Sequence, residues 1–362
     1  MKVLCVVHAF VGGGIEQYLL NVLDYMDRRD VQMEILGTAD ESVYTHIGEL
    51  VKREVPFHYL HSKKLSARLR EWAKLLRTNK YDIVHIHGMP NTGVIWLTSG
   101  KWVSPGTKFI VHAHMGVRTD MGKGVLRRVA YRCCYCLTNW LYQVLADVRA
   151  GCSEEAMRLH FGSGIKTDGL LLKNGIDMER FCSSRTPRVT SRRMIAVARI
   201  DYLKNPLFLV ELVAELVKRH AGWHLTWIGE GSMEKVVKER ICELGVEHHI
   251  TMPGFRKDIP EHLSRNELFL LPSLKEAFPI AAVEAQAAGC VCVASTSVPE
   301  AANYGAMVRL PLEKGVTGWA DFIEALYETS TEFPVDKAKM RSFDVRVTTE
   351  ELKGLYRSLL KR

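Results

Sequence analysis

The sequence predicts an α/β protein built from two doubly wound domains, each around a parallel sheet. Three observations carry this prediction. Short apolar runs alternate with amphipathic helical stretches through both halves of the 362-residue chain. A polar, basic stretch with no hydrophobic period separates the halves. Several loops that follow apolar runs contain glycines and open directly into helices. The length agrees, since 362 residues are too many for one ordinary core.

In the first half, strands are expected at Val3–Val7, Gln32–Leu36, Phe57–Leu60, Ile83–Ile86, Lys108–His112, Val148–Cys152 and Gly169–Leu172. Each is short, as strands alternating with helices in a parallel sheet are. Helices fill the intervals, the longest from about Gly124 to Ala146. In the second half, strands are expected at Met194–Ala198, His224–Ile228, His249–Met252, Leu268–Leu271 and Val291–Ala294. The reading gives an N-terminal domain over 1–178, a linker over 179–193 and a C-terminal domain over 194–345. Facing each other, two such domains would form a cleft lined by the carboxyl ends of both sheets, where open α/β sheets hold ligands.

Composition narrows the class. At 47% hydrophobic and 25% charged residues, the chain has the balance of a soluble globular protein. No apolar run approaches the ~20 residues needed to span a bilayer. The first residues, MKVLCVVHAFVGGG, run straight into a glycine turn and read as a strand rather than a signal peptide, so a cytoplasmic protein is expected. Nine cysteines, an odd number, agree with reduced thiols. Cys133, Cys134 and Cys136 fall mid-helix without a second cluster at metal-site spacing, and packing is their expected role.

The net charge of +8 sits almost wholly in the front of the chain, where residues 1–185 hold 25 Lys and Arg against 18 Asp and Glu. Two basic runs dominate: Lys63, Lys64, Arg68, Arg70, Lys74, Arg77 and Lys80, then Arg118, Lys123, Arg127, Arg128 and Arg132. A solvated helix face is the plain meaning of such runs. Docking on an anionic membrane surface is the sharper one, with Leu65, Leu69, Trp72, Trp140, Leu141 and Tyr142 as its apolar complement. Nucleic acid is not expected, because no binding motif accompanies the charge.

The most informative segment is PSLKEAFPIAAVEAQAAGCVCVAS, Pro272 to Ser295. It places Glu276 in the loop after an apolar strand and Glu284 eight residues on, one to two turns into the next helix. The free amides at that helix start can seat an anion. Two carboxylates around an anion seat suit a ligand with hydroxyls at both ends and phosphate between, such as a nucleotide sugar. An isolated pair at this spacing would mean only a helix-start carboxylate and a solvated helix residue. Here the apolar surroundings make a free Glu284 costly.

Arg199 and Lys204, in VARIDYLKNP, end the first strand of the second half. Guanidinium and ammonium together stabilise charge growing on a departing diphosphate. Gly229 and Gly231 in WIGEGSM, and Gly254, Phe255 and Arg256 in MPGFRKD, lie at two further strand ends and fit nucleotide contact. Gly12 to Glu16, GGGIE, follows strand one; it is not a dinucleotide fingerprint, and a tight turn explains it as well as a phosphate cradle does. His112 and His114 share one strand face. That could mean a metal, but no third ligand is apparent from spacing, and a polar contact to a sugar or phosphate is expected ahead of metal binding or a satisfied core histidine. His85 and His87 share that ambiguity, one of the two being read as structural. Neither an HExxH nor a DxD pattern occurs.

Taken together, GGIE (Gly13–Glu16), His114, NGID (Asn174–Asp177), R-x4-KN (Arg199, Lys204, Asn205), GEG (Gly229–Gly231), GFRKD (Gly254–Asp258) and EAFPIAAVEAQAAG (Glu276–Gly289) resemble the retaining GT-B glycosyltransferases of glycosyltransferase family 4. HAHMG followed by a basic stretch and GCSEEA is most similar to the branch that builds bacterial exopolysaccharide and capsule. The resemblance implies two Rossmann-like domains, with a last helix near 350–360 crossing back to the first. It implies that Arg199 and Lys204 bind the donor diphosphate, Glu284 the ribose hydroxyls and Glu276 the sugar hydroxyls. Amides of Phe278, Ile280 and Gly14, beside Gly13, would complete the cradle, His114 would lie by the transferred sugar, and Phe255–Arg256 would approach the base. Ala277 departs from the glycine frequent there. The implied reaction moves a sugar from a nucleotide diphosphate sugar, UDP-linked by expectation, to a glycan or polyprenyl-diphosphate-linked acceptor, with no cofactor and no metal. A nucleotide-sugar epimerase, a phosphorylase or a non-catalytic partner subunit of the same fold are the alternatives. The intact Lys204, Glu276 and Glu284 favour transfer.

Overall fold

The structure is a computed structural model describing residues 1–10, 13–40, 44, 47–89, 92–114, 125–162 and 169–361. It divides into two compact units: residues 1–176 with 343–362, and residues 177–342.

The first unit contains strands β1 (Lys2–Val7), β2 (Gln32–Gly37), β3 (Phe57–Tyr59), β4 (Ile83–His87), β5 (Lys108–Ala113), β6 (Val148–Gly151) and β7 (Leu170–Leu171). They form one parallel sheet in the order β3-β2-β1-β4-β5-β6-β7. The second contains β8 (Arg193–Val197), β9 (His224–Ile228), β10 (Ile250–Gly254), β11 (Leu268–Leu271), β12 (Val291–Ser295) and β13 (Met307–Leu310). Its parallel order is β10-β9-β8-β11-β12-β13. In each sheet the winding reverses between two central strands, β1 and β4 in one and β8 and β11 in the other. The carboxyl ends flanking such a switch point are where doubly wound sheets open a crevice.

Helices cover both faces, so the central strands are buried throughout. Val3, Leu4, Cys5 and Val6 have no exposed surface, nor do Val291, Cys292, Val293 and Ala294. Trp223, Trp227 and Trp319 anchor the core of the second unit.

The polar stretch over 179–193 is not a free linker. Ser183 N donates to Ala287 O (3.0 Å), Arg185 Nη2 to Asn266 O (2.7 Å), and the amides of Thr190 and Ser191 to the Glu267 carboxylate (2.6 and 2.7 Å). The segment belongs to the second unit, and the division falls at 176/177. The chain leaves and re-enters the first unit at one point: Ile176 N donates to Phe343 O (2.8 Å) and Val345 N to Ile176 O (2.9 Å). Gly175 of the NGID motif is required there, since a Cβ on it would lie 2.1 Å from Thr348 Oγ1 and 2.7 Å from Val345 Cα. The returning helix, Val345–Leu360, buries Leu352, Tyr356 and Leu359 in the first unit's core and pairs Lys353 and Arg357 with Asp30 (2.8 and 2.9 Å).

Candidate active site

In the second unit the switch point is bridged by side chains. Past β8 the chain runs through Arg199 to Asp201, whose carboxylate accepts from Leu203 N (3.1 Å) and starts a short 3-10 turn over Tyr202–Lys204. Asn205 then takes a left-handed conformation (φ 54°), which asparagine tolerates better than most side chains, and Pro206 opens the next helix. Leu274 N, beyond β11, donates to Leu203 O (2.8 Å), so the two loops are joined. Across that join Lys204 Nζ donates to Glu276 Oε1 (2.5 Å), and Ser273 Oγ donates to the same oxygen (2.8 Å). The Glu276 side chain is only 8% exposed and that of Lys204 21%, so the pair faces little bulk water. Arg199 is held differently: its side chain is 57% exposed and pairs with Asp201 (3.0 Å).

Glycines shape the loop beside this pair. Gly229 has φ 139°, and a Cβ on it would sit 2.1 Å from Ala198 O; one on Gly231 would sit 2.3 Å from Ile200 O. Ile200 N donates to Glu230 O (2.9 Å). The GEG motif thus lets the β9 loop close upon the backbone that carries Arg199. Glu230 Oε1 accepts from Phe255 N (3.2 Å), Phe255 is 45% exposed, and Arg256 pairs with Asp258 (2.6 Å).

The helix Ile280–Ala287 begins without a side-chain cap, which leaves the amides of Ile280 and Ala281 without intrahelical acceptors. Phe278 and Pro279 lead into it, as the sequence indicates. Glu284 lies in its second turn, partly open to solvent but closely surrounded. Burial pushes its carboxyl up from 4.5 to about 7, and the nearby charge of Arg180 offsets this only in part.

In the first unit, Gly13 and Gly14 start the helix Gly14–Tyr25 just past β1, and a Cβ on Gly14 would meet nothing within 4 Å among the described residues. Gly12 lies outside the described residues. At the ends of β4 and β5, His85, His87, His112 and His114 meet on one sheet face, all buried. His87 Nδ1 and His114 Nε2 are 3.0 Å apart, and His85 Nδ1 lies 2.7 Å from the Tyr356 hydroxyl. Burial pushes His114 down to about 3.

The comparisons with known proteins match both units. The model described as Glycosyltransferase Family 4 matches residues 12–180, and that described as Glycosyl transferases group 1 matches 179–305. This chain belongs to glycosyltransferase family 4. The family 4 protein is 27% identical to EpsF of Bacillus subtilis (strain 168), a glycosyltransferase by name, over 98% of this chain and 96% of that one. It is 24% identical to the Escherichia coli UDP-Gal:alpha-D-GlcNAc-diphosphoundecaprenol alpha-1,3-galactosyltransferase, over 61% of this chain and 59% of that one. Anabaena HepE in complex with UDP superposes with a TM-score of 0.77 at 18% identity, covering 99% of this chain and all of that one (100%), which establishes the GT-B fold.

Several expectations for this glycosyltransferase are revised by its structure. Trp72 and Tyr142, expected on an exposed apolar face, are fully buried. Cys133, Cys134 and Cys136, expected to pack, are exposed. Arg68 turns inward and donates to Thr38 O rather than adding to a solvated face. Arg118 and Lys123 lie outside the described residues, as does the side chain of Arg127. The donors and acceptors missed in the sequence are Asp201, Glu230 and Ser273. Of these, Asp201 carried a readable signal, an Asp two residues before a turn amide.

Proposed function

We propose that this chain is a retaining, metal-independent glycosyltransferase that moves a sugar from a UDP-sugar to a polyprenyl-diphosphate-linked or glycan acceptor in exopolysaccharide or capsule synthesis. The observation that carries the reading is the Lys204–Glu276 contact across the β8/β11 switch point. A donor bringing phosphate to Lys204 and sugar hydroxyls to Glu276 gives each charge a new partner as their mutual bond loosens. Arg199, exposed and paired among the described residues with Asp201, swings onto the same diphosphate. Glu284 takes the ribose hydroxyls, Phe255 and Arg256 approach the base, and the amide at Ile280 completes the cradle in this unit.

In this mechanism the bond from the anomeric carbon to the diphosphate oxygen breaks as the acceptor oxygen attacks on the same face. The acceptor proton passes to the departing phosphate, so no protein base is needed. Arg199, Lys204 and the start of the 280–287 helix stabilise the charge that grows on the leaving group. The UDP complex of HepE and the donor and acceptor named for the Escherichia coli relative support this choice of substrates.

The acceptor reading extends to the membrane. No helix among the described residues is long and apolar enough to cross a bilayer. On the helix Val125–Leu145, however, Val129, Leu137, Trp140 and Val144 are 53–59% exposed at helical spacing, with Arg128 and Arg132 exposed beside them. Lys63, Lys64, Arg70, Lys74, Arg77 and Lys80 are also exposed. An apolar stripe flanked by cations suits peripheral docking on an anionic leaflet. The deciding experiment for the donor is a thermal shift with UDP in the presence of chelator. Stabilisation of ~2.7 kcal/mol at 100 times the dissociation constant is expected, and a shift seen only with added magnesium or manganese overturns the metal-independent reading.

A further inference from the structure

Beside His114 in the first unit stand three buried histidines to which the donor reading gives no part. We propose that His85, His87 and His112 constitute a buried site for one divalent transition-metal ion of the zinc type. His85 and His87 are two apart on β4, and His112 stands opposite His87 in the parallel register, so the three rings leave one face of the sheet. One ligand nitrogen from each lies within 4.8 Å of the others. Zinc–nitrogen bonds of ~2.0–2.1 Å put tetrahedral ligands ~3.3 Å apart, so small ring rotations close the set around an ion.

The hydrogen bonds around the cluster leave the right atoms free. With Nδ1 protonated, His85 bonds the Tyr356 hydroxyl (2.7 Å) and His87 bonds His114 Nε2 (3.0 Å), and each ring keeps its Nε2 lone pair for an ion. Among the described residues those two Nε2 atoms have no hydrogen-bond partner, and the Leu172 backbone, the one polar group facing the His112 ring, can hold only one of its nitrogens. Metal-binding histidines are commonly oriented in this way, by a hydrogen bond on the far ring nitrogen. Ligands that are all imidazole suit zinc, copper or nickel and not magnesium or calcium. Tyr18 closes one side, its ring 5.5 Å from that of His112 and 5.9 Å from that of His87. An ion on His87 would also fix the tautomer of its neighbour His114.

The test uses the full chain, free of any affinity tag and carrying Cys133→Ser, Cys134→Ser and Cys136→Ser to remove exposed thiols. After stripping with chelator, the protein is loaded with zinc, desalted and assayed for bound metal, and its affinity is read against a chromophoric competitor. About one equivalent per chain is expected, with affinity falling at least ~100-fold in His85→Gln and in His112→Gln, beyond what loss of a supporting hydrogen bond alone causes. X-ray absorption on the loaded protein with its histidines intact needs no ligand variant, and should show a first shell containing three imidazole nitrogens and no sulfur. No retained zinc, unchanged affinity in both variants, or a first shell lacking imidazole each overturns the proposal. None of these readouts depends on glycosyl transfer.

Discussion

Glu284→Gln is expected to stabilise the protein at alkaline pH while weakening nucleotide binding. The carboxyl of Glu284 is raised from 4.5 to about 7 by burial. A folded-state value above the unfolded one means that its stabilising contribution is complete below pH ~4.5, fades as pH rises towards 7, and then stays lost. At ~1.4 kcal/mol per unit, the folded chain carries ~3 kcal/mol of penalty at pH 8 for holding this carboxylate charged. Glutamine has nearly the same shape and no charge, so the variant escapes the penalty. Unfolding of a chain with two units is not a single transition, so the readout must be local. Hydrogen exchange of peptides spanning β11 and the 280–287 helix, measured on the intact protein, serves this purpose. The variant-to-parent protection ratio should approach ~100 at pH 8 and fall towards one at pH 4.5, intrinsic exchange rates cancelling in the ratio. A ratio that ignores pH, or a variant less protected at pH 8, would refute the reasoning. Ribose hydroxyls donating to Glu284 favour its ionised form. Binding of UDP at pH 6.5 should therefore release protons, visible as calorimetric heats that depend on the buffer.

Lys204→Ala and Glu276→Ala should each lower turnover by ~100-fold or more with the fold retained, read by product formation and circular dichroism; near-parental activity in either would displace the site. Glu284→Ala should raise KM more than it changes kcat in steady-state assays over a range of donor concentrations. Co-sedimentation with phosphatidylglycerol vesicles should be strong at low salt and weak at high salt, and should drop for Trp140→Ser; equal recovery on neutral vesicles would point to a soluble acceptor.

The parts of the fold that were legible in the sequence are those where burial acts on both faces of a strand. β11 is a continuous apolar run, and β1 and β12 are apolar but for one end residue each, because helices cover them on either side. β13 escaped notice: it is four residues long at the edge of its sheet, and Arg309 interrupts its apolar character. The stretch over 179–193 was misjudged for a different reason. Its polar side chains and amides bind carbonyls and the Glu267 carboxylate, and hydropathy has no sign for polar groups that satisfy each other. Glu276 and Lys204 stood out by motif, yet that they touch follows from the strand order β8-β11, a long-range fact. The histidine cluster was hidden likewise. Spacing along β5 reveals His112 and His114, but the partners come from β4 through the pairing of His87 with His112. Trp72 and Tyr142 were misplaced because a helix with apolar residues on more than one face does not declare which face is inward.

The return of the Val345–Leu360 helix makes the first unit discontinuous, with the whole second unit inserted between its pieces. During synthesis the second unit has emerged in full before the first can be finished. Until Tyr356 arrives, His85 lacks its hydroxyl partner and the core around Cys5 lacks one wall. The nascent first unit must therefore wait, open on one side, through the making of some 170 further residues, about ten to thirty seconds at ordinary elongation rates. A ribosome stalled past Ser342 would leave a donor-binding unit complete in sequence and joined to a front unit without its last helix. The last residues of the helix thus act as a check on synthesis: the first unit acquires its full core only in chains translated to that point.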